Sequence, residues 1–190
     1  MPFNSIPFAL FLPCVLLLYH RLGRRAQNVL LILASCVFYG WWDWRFLALL
    51  LGPALVDCAA AVRIAAATTR GRCRAWLALS VGMHVGLLGF FKYFGFFAAS
   101  LHDALAAVGL QVSMPSLRIL LPVGISFYTF QSMSYTLDVY RGDVQARRSL
   151  PTVLLFVTYF PVLLAGPISR PSTLLPQLER DRHVGWAHAQ

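Results

Sequence analysis

Charge is what this sequence has least of. Only 12% of its 190 residues are Asp, Glu, Lys or Arg, against about 25% in a soluble domain. That shortage, beside 58% apolar or aromatic residues, excludes an ordinary soluble globule and a disordered chain. Acidic residues are rarest, seven against sixteen basic ones, and no close carboxylate pair is available for acid–base chemistry. The four cysteines, Cys14, Cys36, Cys58 and Cys73, have no metal-ligand spacing. They read as small hydrophobes in packed helices. No GxSxG, HExxH, P-loop or Cys/His cluster occurs, so motifs identify no catalytic residue and no metal site. No Lys or Arg precedes Arg21. The first apolar run therefore lacks the basic flank of a cleavable signal and is expected to stay in the protein.

What is there is long apolar runs. A membrane-crossing helix takes about 20 residues, and six would fill most of the chain. The reading is an all-α, polytopic helical membrane protein with about five to six membrane segments. The runs lie at about 6–19, 28–42, 46–67, 75–97, 117–140 and 149–168, with 98–116 as a less apolar, interfacial helix between the fourth and fifth. No repeat, low-complexity tract or soluble linker breaks residues 1–178, and the tail at 179–190 is polar.

The net charge of +9 suggests nucleic acid only until its placement is seen. Arginines cluster at Arg21, Arg24 and Arg25, at Arg70, Arg72 and Arg74, and at Arg141, Arg147 and Arg148, each cluster between apolar runs. That is the signature of cytoplasmic loops under the positive-inside rule. With the amino terminus outside, those loops and Arg63 hold ten of the sixteen basic residues. Arg170, Arg180 and Arg182 join them only if the sixth run turns back. Pro151, Pro161, Gly166 and Pro167 argue against an unbroken helix there, so a broken or re-entrant sixth segment is expected. The expected contact is membrane lipid, not nucleic acid.

Polar groups inside the apolar runs are the functional candidates. In Leu121–Arg141, six polar-capable side chains share one arc of about 140° at 100° per residue: Tyr128, Gln131, Ser134, Tyr135, Asp138 and Arg141. Phe127 interrupts the stripe. Such a face meets protein, as interhelical glue, or a watery substrate cavity. Asp138 and Arg141 are spaced for an i, i+3 pair. His84 lies mid-run with no carboxylate, cysteine or second histidine near it in sequence, and reads as a packing histidine. Gly82 and Gly86 make a GxxxG pair that admits a close neighbour helix. Asp57 is expected to pair with an arginine or with a polar group of another helix. Lys92, among Phe90, Phe91, Tyr93 and Phe94, is expected to snorkel to the interface.

Several segments together resemble one family. They are Phe3-Asn4-Ser5 with Phe11-Leu12-Pro13; Leu33-Ala34-Ser35 with Phe38-Tyr39-Gly40-Trp41-Trp42; and Phe91-Lys92-Tyr93-Phe94. Leu121 to Gln131 with Asp138-Val139-Tyr140-Arg141-Gly142 is the most specific block. Tyr159-Phe160-Pro161, Ala165-Gly166-Pro167-Ile168 and Leu175-Pro176-Gln177-Leu178 continue it. In that order they resemble the membrane-bound O-acyltransferase (MBOAT) family, nearest the bacterial alginate O-acetylation branch, and its amino-terminal part. The resemblance implies acyl transfer to a hydroxyl, often of a polysaccharide, by a helix bundle around a tunnel in the bacterial inner membrane. It implies no cofactor beyond an acyl donor as co-substrate, a thioester or carrier-bound acyl group, and other polysaccharide-modification proteins as partners. On it, Tyr128, Gln131, Ser134, Tyr135, Asp138 and Arg141 line or brace the tunnel, and Pro161, Gly166, Pro167 and Arg170 shape the turn beside it. The family's catalytic histidine belongs to a later helix. His84, His102, His183 and His188 stand in no matching motif, so these residues alone are expected to be inactive. The alternative is a non-enzymatic multi-span membrane protein, an export or scaffold component of a polysaccharide complex.

Overall fold

A computed structural model describes residues 1, 3–109, 122–163, 166 and 169–180. Among the described residues the chain is helical, with no strand. Helices α1 (Ile6–Arg21) and α2 (Arg24–Gly40) form a tight antiparallel hairpin. Ser5 caps α1 by accepting the Phe8 N–H at 3.4 Å, and Pro7 occupies its first turn, where a missing N–H costs nothing. His20 and Arg21 sit in its last turn, where positive charge meets the exposed carbonyls. Helix α3 (Phe46–Ala66) is followed by α4 (Arg70–Leu88).

Beyond Leu88 the helix does not end. It widens into a π turn over Gly89–Tyr93 and continues as α5 (Phe94–Ala107). The sequence reading stopped the fourth segment at Phe97 and began a separate interfacial helix at residue 98. Instead one 38-residue helical run spans Arg70–Ala107. Nothing between Gly89 and Ala107 breaks a helix: there is no proline, and the π turn absorbs the mismatch. The rest of the expected interfacial helix, 110–116, lies outside the described residues, as do 117–121 of the fifth segment.

Among the described residues of the fifth segment, the helix is α6 (Ile125–Arg141). Pro122 and Val123 are not helical, and Gly124 has φ 75°, a left-handed conformation that suits glycine. Gly142, at φ 83°, closes the other end with its N–H on the Asp138 and Val139 carbonyls. The sixth segment is interrupted. Helix α7 (Leu150–Thr158) stops at Tyr159, with ψ 101°, and the one-turn α8 (Phe160–Leu163) follows. At the break the Phe160 N–H leaves the helix ladder and donates to Ser35 Oγ of α2 at 3.2 Å. Pro161 then supplies no N–H of its own. Pro167 lies outside the described residues, as does the tail beyond Arg180. Helix α9 (Pro171–Glu179) is the last described element.

Helix α3 is the centre: α4 and α6 pack on it from one side, α2 and α7 from others. Phe38 and Phe160 meet at 5.5 Å between ring centroids, with Phe11 against both. The Tyr39 hydroxyl donates to the Val123 carbonyl at 2.9 Å, so α2 ends where α6 begins. Val62, Ala65 and Ala66 line one cavity with Val139, Gly142 and Val144, so α3 ends where α6 ends. The three arginine clusters therefore gather at one end. Helix α9 is fastened there: Arg147 makes a two-point pair with Glu179 (2.6 and 3.0 Å), Asn28 donates to the Leu178 carbonyl at 3.2 Å, and Arg24 donates to the Glu179 carbonyl. The outer surface is strongly apolar, with Leu10, Leu17, Leu33, Val85, Phe96 and Phe97 exposed. Two helices, Phe46–Ala66 and Arg70–Ala107, are long and apolar enough to cross a membrane; Ile6–Arg21 and Leu150–Leu163 are shorter.

Candidate functional site

The site is built around α6, whose polar side chains go two ways. One set meets α3 and α4. Ser80 and His84 are one turn apart on α4, and Ser132 and Thr136 one turn apart on α6, so each pair shares a helix face. Asp57 of α3 lies between them, fully buried. A carboxylate inside an apolar bundle must collect donors, because water is not there to supply them. Asp57 collects three. Its Oδ1 accepts from the Ser80 hydroxyl at 2.6 Å, and its Oδ2 meets His84 Nε2 at 2.7 Å and accepts from the Ser132 hydroxyl. Ser80 has spent its proton on Asp57. The single Thr136 proton is therefore divided between Ser80 Oγ at 2.9 Å and the Met133 carbonyl at 3.0 Å. All five side chains are buried. His84 Nδ1 is buried with no hydrogen-bond partner among the described residues.

The other set is the predicted stripe, and the structure divides it. Gln131 Nε2 donates to the Phe156 carbonyl of α7 at 2.5 Å. The Tyr135 hydroxyl, fully buried, accepts the Arg147 N–H at 2.8 Å. Tyr128 stands edge-on to Tyr39 at 6.0 Å, and its buried hydroxyl has no partner among the described residues. Ser134 bonds its own helix, donating to the Gln131 carbonyl at 2.7 Å. Asp138 is buried, but it is its backbone carbonyl that caps the helix, accepting from Asp143 at 2.9 Å and Val144 at 3.3 Å. Arg141 is exposed while Asp138 is buried, and no ion pair joins them.

Around these faces, Gly166 is a position only glycine fits: an added Cβ would lie 2.7 Å from Val162 Cα. Pro161 and Arg170 are exposed. Lys92 is exposed beside Tyr93, its Nζ 3.4 Å from Ser126 Oγ. At the end away from the arginines, Phe38, Tyr39, Trp41, Trp42, Phe46 and Val123 line a cavity of about 370 Å³. Among the described residues no three His, Cys, Asp or Glu side chains gather as metal ligands.

Sequence reasoning missed the pairing of Asp57 with His84, which are 27 residues apart. The i, i+4 spacing of Ser80 with His84 and of Ser132 with Thr136 was the visible signal. It was passed over because the arc was drawn from Gln131, and Ser132 falls about 100° outside that direction.

Over 97% of its length the chain is 43% identical to the probable alginate O-acetylase AlgI of Pseudomonas putida and 44% identical to that of Pseudomonas aeruginosa. Over 89% of its length it is 31% identical to the peptidoglycan O-acetyltransferase of Helicobacter pylori. It spans 38%, 36% and 37% of those relatives, just over a third of each. No family model and no solved structure matches.

Proposed function

We propose that the chain is part of a membrane-bound O-acyltransferase of the alginate O-acetylase branch, an enzyme that moves an acyl group onto a polysaccharide hydroxyl. The observation that carries this is identity above 40% sustained over 97% of the chain. The donor is an activated acyl group, a thioester or a carrier-bound ester. The acceptor is a sugar hydroxyl of a polymer leaving the bacterial inner membrane.

In this reading the arginine-rich end faces the cytoplasm and the amino terminus the other side, as the positive-inside rule requires. Helices α1 to α4 and α6 are the crossing segments. The α7–α8 stretch, Leu150–Leu163, reaches only about 20 Å at 1.5 Å per residue, short of a bilayer core of about 30 Å. It enters from the arginine end and turns back, its irregular backbone sheltered by α2. Tyr128, Gln131 and Tyr135 brace the wall of the acyl-transfer tunnel, Ser134, Asp138 and Arg141 continue it toward the cytoplasm, and Pro161, Gly166 and Arg170 set the neighbouring turn. None of these residues is assigned a bond-making step. The partners are membrane lipid and other polysaccharide-modification proteins, and the chemistry needs no metal.

The test is complementation. An alginate-producing pseudomonad lacking its O-acetylase is given the full gene that encodes this chain, and acetyl esters per uronate are measured by proton NMR. Restored esters are the expected result. Membrane-inserted protein with no ester on alginate or peptidoglycan would instead favour the non-enzymatic export or scaffold role.

A further inference from the structure

Helices that meet in lipid gain little from apolar contact, since the lipid is as apolar as they are. A smooth apolar seam therefore leaves rotation and register weakly fixed. Directional bonds fix them, and in this protein they concentrate on one carboxylate. Asp57 on α3 bonds α4 through Ser80 and His84 and bonds α6 through Ser132. Thr136 closes the ring from α6 back to Ser80 at 2.9 Å. A slip of α6 by one residue would rotate both hydroxyls about 100° away and strand a buried carboxylate. The same rotation would move Tyr128, Gln131 and Tyr135, which lie on the other polar face of α6.

We propose that Asp57 and His84 are positioning residues of the acyl-transfer site: acting through Ser132 and Thr136, they set the rotation and register of α6 and so the placement of Tyr128, Gln131 and Tyr135. The proposal rests on the acyl-transfer reading for its activity arm only. Asp57 is the anchor because three of the ring's hydrogen bonds end on its carboxylate, from both α4 and α6. His84 supplies the bond that holds the carboxylate's Oδ2 side toward α4. The role is one of placement, since both groups are buried and meet each other within the ring.

Thr136 gives the sharpest test, in the full-length protein. Thr136→Val keeps the shape and removes the hydroxyl; Thr136→Ser keeps the hydroxyl and removes a methyl. If bonding sets α6, the Val variant loses about 10- to 100-fold in kcat per folded protein, as small misplacements do. The Ser variant then works like the wild type. Ser132→Ala is expected to follow Val, and Asp57→Asn to be at least as severe. KM for the acyl donor should move little. The independent arm is hydrogen–deuterium exchange over Ile125–Arg141, expected to be faster in Thr136→Val than in Thr136→Ser. A Ser variant worse than the Val variant overturns the proposal, because packing would then be the cause. So does activity that falls only in step with the amount of folded protein, or equal exchange in the two variants. A wild-type protein without transferase activity overturns the acyl-transfer reading instead, and the exchange arm still decides the role of the ring.

Discussion

The two halves of the Arg70–Ala107 run are one continuous helix and two different environments. Its first half, α4, begins with three arginines and carries Ser80 and His84, and those two polar residues are its buried ones. Its second half, α5, is far more apolar, and none of its residues is buried. The usual equation of apolar with inside is reversed along a single helix. Where lipid is the solvent, an apolar side chain loses nothing by staying outside, while a serine, histidine or aspartate must find protein. Along this helix, polarity marks what is buried.

That contrast can be broken by substitution, and the largest effect is expected at its polar centre. Asp57→Ala leaves Ser80, Ser132 and His84 without their shared acceptor. Each buried polar group left without its partner costs about 1–3 kcal/mol. The thermal midpoint of the detergent-solubilised protein should fall accordingly, and an unchanged midpoint would mean the cluster contributes nothing. Ser80→Ala sharpens the estimate, removing two interhelical bonds, to Asp57 and to Thr136, each worth about 0.6–2 kcal/mol. The smallest effect is expected in α5. Phe96 is 65% exposed, so Phe96→Ala should stay within about 0.5 kcal/mol in the same melt. A Phe96 variant that destabilises more than Ser80→Ala would restore the ordinary rule and end the contrast.

How much of this was legible in the sequence divides along the same line. Apolar runs with charged ends can be read locally, so α3 at Phe46–Ala66 sits against an expected 46–67, and α1 at Ile6–Arg21 against 6–19. The arginine clusters were visible too. The continuation of α4 into α5 was not, because hydrophobicity falls after Phe97 while the backbone stays helical to Ala107. The start of α6 was misplaced because Pro122 and Gly124 stand inside an unbroken apolar stretch. The polar face of α6 was recognised in kind but not in partner. Gln131 and Tyr135 bond α7 and the Arg147 loop, while Ser132, the α6 group that meets Asp57, lies just outside the polar arc. Which helices would face one another is a long-range fact, and a lone aspartate and a lone histidine 27 residues apart carry no local sign of it.

The fastening of α9 to the start of α2 has a topological consequence. Arg24 and Asn28 touch the backbone of Leu178 and Glu179 directly. In a bilayer, two points in direct contact lie on one side, so the chain between them crosses an even number of times, whichever way up the protein sits. On the proposed topology α2, α3, α4 and α6 make an even set, which leaves α7 and α8 no net crossing to contribute. A sidedness reporter in the α1–α2 turn and another just after Glu179 must then answer alike.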